Sequence, residues 1–496
     1  MKFHVVDHPP QAKMKQAVLA LHVTQDDSKL PSMAAWIDKE LKGGLKKELK
    51  RRKFTGAAGS STLIQSEYGP ALLVGVGKRP VTLDRIRQAA AVAVKQARTH
   101  HFDIIATPAT GGSRLDHGAV GQAVVEGALL GDYSFDKYKD GKGKDRSELE
   151  FFLTQAGKDT SKVKRGVTRG QVTAAAQNVA RDLANEPASI LTPRALAARA
   201  KSIGRASGLS VSVMGPREIE RLGMGAFRAV SLGSDQPPQL IKVSYRPRTT
   251  GNRKPRHIVL VGKSITYDSG GINLKPSRGG SLEMMKADMA GGAAVLGAMS
   301  ALKRLGVTDR VTAYLPATEN MLGDGAYKPG DVLKTYNGKT IEVGNTDAEG
   351  RLTLADVLAY ASAKDKPDEL IDLATLTATD IALGPDYAAI FATKPQAEEQ
   401  MKKAGEVTGE YVWPLPFPER YDDMTKSAVA DYSNITSGRA YTLAAPVLLR
   451  HFVGKNVKSW IHLDIGGPSM LDADRGYQSK GGTGYGTRLL LEYLTR

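Results

Sequence analysis

The chain of 496 residues contains no cysteine. That excludes disulfides, a thiolate metal site and a cysteine nucleophile, and it suits a reducing compartment. It has no run of 18 apolar residues, so nothing in it reads as a membrane-spanning helix. Its first residues, MKFHVVDHPP, lack the apolar stretch of a signal peptide. A cytoplasmic protein without a membrane partner is therefore expected. No HExxH pair occurs, which argues against a histidine-based zinc peptidase. No internal repeat or low-complexity tract appears. There is also no helix-turn-helix, zinc-finger or RNA-binding aromatic motif.

What the chain does have is positive charge, unevenly placed. The net charge is +17. Residues 1–165 hold 28 Lys/Arg against 18 Asp/Glu, a net +10, and the remaining 331 residues hold 41 against 34, a net +7. The densest stretch, LKGGLKKELKRRKF (Leu41–Phe54), sets seven basic residues against one Glu. Such runs usually form a solvated helix face. The functional alternative is a nucleic-acid-binding protein that uses this basic N-terminal domain, as its main task or as a second function.

Strand-like and helical segments alternate throughout, the pattern of an α/β protein. ALLVGVG (Ala71–Gly77) and HFDIIATP (His101–Pro108) read as strands around a helix at Leu83–Ala97. DKYKDGKGKDRSELE (Asp136–Glu150) reads as an exposed loop. A helix over Arg165–Pro187 precedes a second α/β region. There HIVLVG (His257–Gly262), VTAYLP (Val311–Pro316), KTIEVG (Lys339–Gly344) and LIDLATLT (Leu370–Thr377) read as strands. Arg351–Ala363 reads as a helix, and Val295, Leu296, Met299 and Leu302 mark another that stops by Gly306. The expected division is an N-terminal α/β domain over 1–165, a linker helix over 166–186 and a catalytic domain over 187–496.

Charged groups collect at the ends of these strands, where open α/β sheets place their sites. VGKSITYDSGGINLK (Val261–Lys275) supplies Lys263, Asp268 and Lys275, with Gly270 and Gly271 permitting tight turns. MMKADMAGGAAV (Met284–Val295) places Asp288 just before or within the first turn of a small-residue helix. NTDAEGRL (Asn345–Leu352) supplies Asp347, Glu349 and Arg351. In an extended segment those three, at i, i+2 and i+4, would point the same way. Taken singly, each is best read as a surface charge. Together, four carboxylates carry −4, which two divalent ions cancel, relieving the repulsion that would otherwise force protons onto the acids. Hard oxygen ligands suit Zn²⁺, Mn²⁺ or Mg²⁺, and a lysine can join only when neutral.

VGKSITYDSGG, MKADM and NTDAEGRL resemble the signature of the leucyl aminopeptidase (cytosol aminopeptidase) family. RDLANEPASILTP, LPATENMLGDGAYKPGDVL, DLATLT, HLDIGG and GGTGYGTRLLLEYL extend the resemblance over residues 180–496, with a looser match before that. The resemblance implies a metalloprotease, a hydrolase that releases N-terminal amino acids from peptides, with a leucine-like preference. Lys263, Asp268, Asp288 and Glu349 would hold one metal. Asp268, Asp347 and Glu349 would hold the other, more exchangeable one, so that two divalent ions (zinc or manganese, or magnesium at the exchangeable site) share a water. Lys275 and Arg351 would be the catalytic cations, with a bicarbonate on Arg351 as general base. Met285 would border the pocket for the first side chain, and the Leu376 carbonyl would bind the peptide. The implied fold has a smaller macro-like N-terminal domain and a larger catalytic domain with a mixed central sheet, assembled as a homohexamer. Departures include Ser264, Tyr267, Ala378 and a longer PSRGGSLEMM loop beside Met285, so the chemistry is expected and the substrate preference is open. A two-metal phosphoesterase is the rival enzyme class.

Overall fold

The computed structural model describes all residues except 9–16, 26–37, 40–43, 67–68, 110–114, 141–146, 156, 248–253, 278–280 and 437–439. The chain forms two compact units: Met1–Ala175 with Ala473–Lys480, and Ala176–Asp472 with Gly481–Arg496. The expected junctions at 165/166 and 186/187 fall within the 26-residue helix Thr160–Asn185 and just past its end, whereas the units divide inside that helix. The return of 473–480 to the first unit carries no local signal, because it depends on contacts made across hundreds of residues.

The first unit is built on a six-stranded sheet. Its strands are β1 (Lys2–Val6), β2 (Ala17–Thr24), β3 (Ser61–Ser66), β4 (Gly69–Gly77), β5 (Ile104–Pro108) and β6 (Glu150–Thr154), in the order β1-β6-β5-β2-β4-β3. All neighbours are parallel except the β3–β4 hairpin. The strand β4, between β2 and the edge strand β3, is buried along nearly its whole length, which is why its sequence is apolar without alternation. The helix Leu83–Thr99 starts at Thr82, whose hydroxyl caps the Arg85 N–H. The basic stretch yields a helix at Gly44–Arg51 that buries Leu45 and Leu49, while Arg51 and Arg52 both bind Glu48. Residues 41–43 of that stretch, and 141–146 of the expected loop, lie outside the described residues.

The second unit holds a mixed sheet of nine strands. In sequence they are β7 (Ser210–Met214), β8 (Gln239–Tyr245), β9 (His257–Gly262), β10 (Ser264–Asp268) and β11 (Arg310–Asn320). After two short strands, β12 (Val332–Lys334) and β13 (Thr340–Glu342), come β14 (Glu369–Ala374), β15 (Tyr387–Ala392) and β16 (Tyr411–Pro414). A further short strand, β17 (Tyr432–Ser433), precedes β18 (Ser459–Asp464). The order is β16-β15-β18-β14-β9-β11-β8-β7, with β10 added beside β11. The central run β18-β14-β9-β11 is parallel, so its four carboxyl ends open on the same side. Every residue of β9 and β14 is buried, so both strands read as continuous apolar runs broken only where a polar group is needed. The helix Gly350–Asp365 packs Leu352, Leu354, Val357 and Leu358 into this core. The strands β12, β13 and β17 form a separate small sheet that carries the chain into NTDAEGRL.

Candidate metal centre and substrate cleft

All of the charged residues singled out in the sequence line one cleft of about 450 Å³: Lys263, Asp268, Lys275, Asp288, Asp347, Glu349 and Arg351. Met285 and Leu376 line it as well. Three elements deliver the carboxylates. β10 ends on Asp268, a 3-10 turn over Met285–Ala287 is followed by Asp288 just ahead of the helix at Ala290, and Glu349 precedes the helix at Gly350.

The NTDAEGRL segment does not reach this arrangement by extended alternation. Asp347 lies in a turn whose N–H is bound by the Asn345 side chain at 2.7 Å, and Glu349 already has right-handed helical angles. Arg351 is in the first helical turn, where its Nη1 donates to the Asn434 carbonyl at 2.8 Å. The small residues Ala348 and Gly350 allow this tight entry. A Cβ at Gly350 would sit 2.6 Å from Lys263 Cε, so glycine there makes room for the lysine.

The two lysines divide the acids between them. Lys263 Nζ lies 2.8 Å from Asp288 and 2.9 Å from Glu349, and donates to the Thr375 carbonyl at 2.7 Å. Lys275 Nζ lies 2.9 Å from Asp268 and 2.5 Å from Asp347. Asp268 Oδ1 also accepts from the Gly270 N–H and from Asn320 Nδ2. The Gly270 φ of +89° suits glycine in this turn.

Four acids against two lysines and one arginine leave the cluster one negative charge in excess. Its titration reflects that. Burial, then the Glu349 charge, pushes Asp268 up to about 6. Burial also raises Asp288 well above the carboxylate range and raises Asp347. For Glu349 the burial penalty is outweighed by Lys263 and Lys275, and it stays below its ordinary value. Both lysines are pushed up, the neighbouring carboxylates overcoming burial. Burial lowers Arg351 to about 10, so it remains a cation at neutral pH.

The donor set fits a divalent cation. Oxygens of Asp268, Asp288 and Glu349 all lie within 4.8 Å of one another, and Asp288 Oδ2 is buried without a hydrogen-bond partner among the described residues. An oxygen buried in that state is costly unless a cation meets it.

The strand-end reading missed the residues that hold this cluster in place. Thr375 Oγ1 binds Asp288 at 2.7 Å, and Asn320 orients Asp268. Asp464, fully buried at the end of β18, accepts from the Leu376 N–H and the Gly466 N–H at 3.1 Å and from Thr377 Oγ1 at 2.5 Å. It thereby ties the β14 loop, and so the Leu376 carbonyl, to the β18 loop. A polar residue ending an apolar strand was the available signal in HLDIGG and DLATLT. Below the site His462 and Asp372 form a fully buried pair at 2.5 Å, with Trp460 Nε1 on the same carboxylate.

Acids and lysines gathered in one cleft at the strand ends of a mixed sheet make a candidate metal-assisted active site, and comparison with known proteins gives its class. The chain belongs to the cytosol aminopeptidase family and is a peptidase. The family's catalytic domain matches residues 178–491 and its N-terminal domain residues 18–142. A probable cytosol aminopeptidase of Chlorobium limicola is 40% identical over 465 residues, 90% of this chain and 91% of the relative. One from Aquifex aeolicus is 42% identical over 429 residues, covering 86% and 84%. Among solved structures, a mutant of tomato leucine aminopeptidase is similar at a TM-score of 0.88 and 31% identity, over 100% of this chain and 96% of that one. The bottromycin maturation enzyme BotP in complex with Mn is similar at 0.84 and 33%, over 97% and 99%.

Proposed function

We propose that this chain is a metal-dependent aminopeptidase that removes N-terminal residues, with a leucine-like preference, using two divalent ions. The observation that carries this reading is the buried excess of carboxylate around the unpartnered Asp288 Oδ2. The manganese in the solved relative supports it. Lys263, Asp268, Asp288 and Glu349 are the proposed ligands of one ion, and Asp268, Asp347 and Glu349 of the second. Zinc or manganese suits the set, with magnesium at the second position. When bound, the pair of ions supplies a water of lowered pKa and Lewis-acid polarisation of the scissile carbonyl.

The chain's own residues do the rest. Lys263 must give up its proton to become a ligand, so metal uptake releases protons and weakens at low pH. With the ions bound, Asp268 and Asp347 would serve them in place of Lys275, which would be left as an ammonium to face the developing oxyanion. Arg351 stays charged beside the cleft, and its buried Nε has no hydrogen-bond partner among the described residues. That free donor is the proposed seat of a bicarbonate acting as general base, since no histidine lines the cleft among the described residues. Leu376 offers its carbonyl to the peptide, and Met285 walls the pocket for the first side chain. Homohexameric assembly and a cytoplasmic location are proposed with this function on the family resemblance. No helix of the described residues is long and apolar enough to cross a membrane.

The test is metal content and Mn²⁺ or Zn²⁺ activation of leucine-anilide hydrolysis, wild type beside Glu349→Gln, with nitrophenyl phosphate as the rival substrate. The expected result is loss of both metal and anilide turnover in the variant. Turnover of the phosphate alone, or full activity of the variant, overturns the reading.

A further inference from the structure

A fifth carboxylate lines the same cleft and takes no part in the cluster. Asp380 opens the short helix Asp380–Leu383 beyond β14, on the loop that Asp464 anchors. Its side chain is exposed and has no hydrogen bond or ion pair among the described residues. A side chain at Gly467 would press within 3.3 Å of Asp380 Cβ, so glycine leaves this acid its room. Among the described residues, Lys263 and Lys275 lie against the cluster acids and Arg351 donates to the Asn434 carbonyl, so none of the three pairs with Asp380.

Besides the charged cluster, the cleft that Asp380 lines has apolar residues: Met284, Met285, Ala287, Ala378 and Met470. Methionine walls adapt to side chains of different shape. Apolar side chains and an exposed carboxylate lining one cleft suit one kind of side chain, a methylene stem tipped by a cation, and lysine and arginine have that form.

We propose that Asp380 determines specificity in this cleft by pairing with a cationic first side chain, so that peptides beginning with Lys or Arg are substrates alongside those beginning with leucine. The inference rests on the aminopeptidase reading and extends it. Leucine uses the methionine walls alone. Lysine and arginine lay their stems on the same walls and set the charged head against Asp380. Because Asp380 is exposed, water screens the pair and the gain is modest, about fivefold, and falls with added salt.

The experiment compares kcat/KM for Arg-, Lys-, norleucyl- and Leu-p-nitroanilides on the manganese-loaded wild type, Asp380→Asn and Asp380→Lys. Norleucine supplies the stem without the charge. The expected result is an Arg-to-Leu and Lys-to-norleucine ratio about fivefold lower in Asp380→Asn and lower again in Asp380→Lys. In the wild type the same ratios fall as salt is raised. Ratios unchanged in both variants at low salt overturn the role of Asp380 while leaving the peptidase intact. If the loaded wild type hydrolyses none of the four anilides, the aminopeptidase reading falls and this inference with it. Asp380 lies on the surface of the cleft, and circular dichroism of each variant checks that the fold is kept.

Discussion

Glu126 in the N-terminal unit and Glu349 in the catalytic unit are both buried carboxylates facing a buried cation. Glu126 lies 2.5 Å from Arg87 Nε through one oxygen, while the other accepts from Gln122 Nε2 at 2.8 Å and Thr173 Oγ1 at 2.6 Å. Both oxygens have partners and the charge is matched. Glu349 shares Lys263 with Asp288, whose Oδ2 has no hydrogen-bond partner among the described residues, amid an excess of acids. A buried carboxylate whose two oxygens are both partnered and whose charge is matched acts as structure. A buried cluster left with surplus charge and open acceptors is built to receive something. The difference separates scaffold from site without appeal to sequence position.

Breaking each member should therefore fail differently. Glu349→Gln is expected to abolish leucine-anilide turnover and lower bound metal, with the fold retained by circular dichroism. Glu126→Ala should leave Arg87 uncompensated and cost about 3–5 kcal/mol in chemical denaturation, with kcat per folded molecule unchanged. If it lowered kcat at full stability, the contrast would collapse. Lys275→Ala should reduce kcat by about 10²–10³ while the protein still binds metal, as loss of an oxyanion partner does.

An effect that shows only as pH is varied also separates the units. Desolvation lowers His22, on β2, to about 4. Its contribution is present above the ordinary imidazole value and lost as pH falls through about 4. Burial raises Asp356, on the helix Gly350–Asp365, to about 7, against the N–H bonds it accepts from Phe227 and Tyr336. Its contribution is complete below the ordinary carboxylate value and lost as pH rises through about 7. Denaturation midpoints followed from pH 4 to 8 should show His22→Gln easing the acid loss and Asp356→Asn easing the loss toward neutrality. Parallel curves for wild type and variants would remove the distinction.

Much of the site was legible because its charged residues come in tight local groups at the ends of apolar runs. Lys263 with Asp268, and Asp347 with Glu349 and Arg351, are each within a few positions of one another. The strands β4, β9 and β14 were legible for a related reason: burial on both faces writes an unbroken apolar run. Asn320, Thr375 and Asp464 were not, since each acts on a partner about 50 to 90 positions away. NTDAEGRL misled locally. Its alternation suggests a strand, but the Asn345 side chain and the two small residues turn it into a helix entry.

By itself the sequence determined the kinds of chemistry available: hard oxygen donors and lysines, no thiolates, and an α/β frame whose strand ends collect them. Those follow from composition and from apolar periodicity, which are properties of neighbouring residues. Only the tertiary structure decided which acids share which lysine, which oxygen is left unpartnered, and that Asp380 opens onto the same cleft. These are relations between segments far apart in the chain, and no local pattern encodes a distance across a fold.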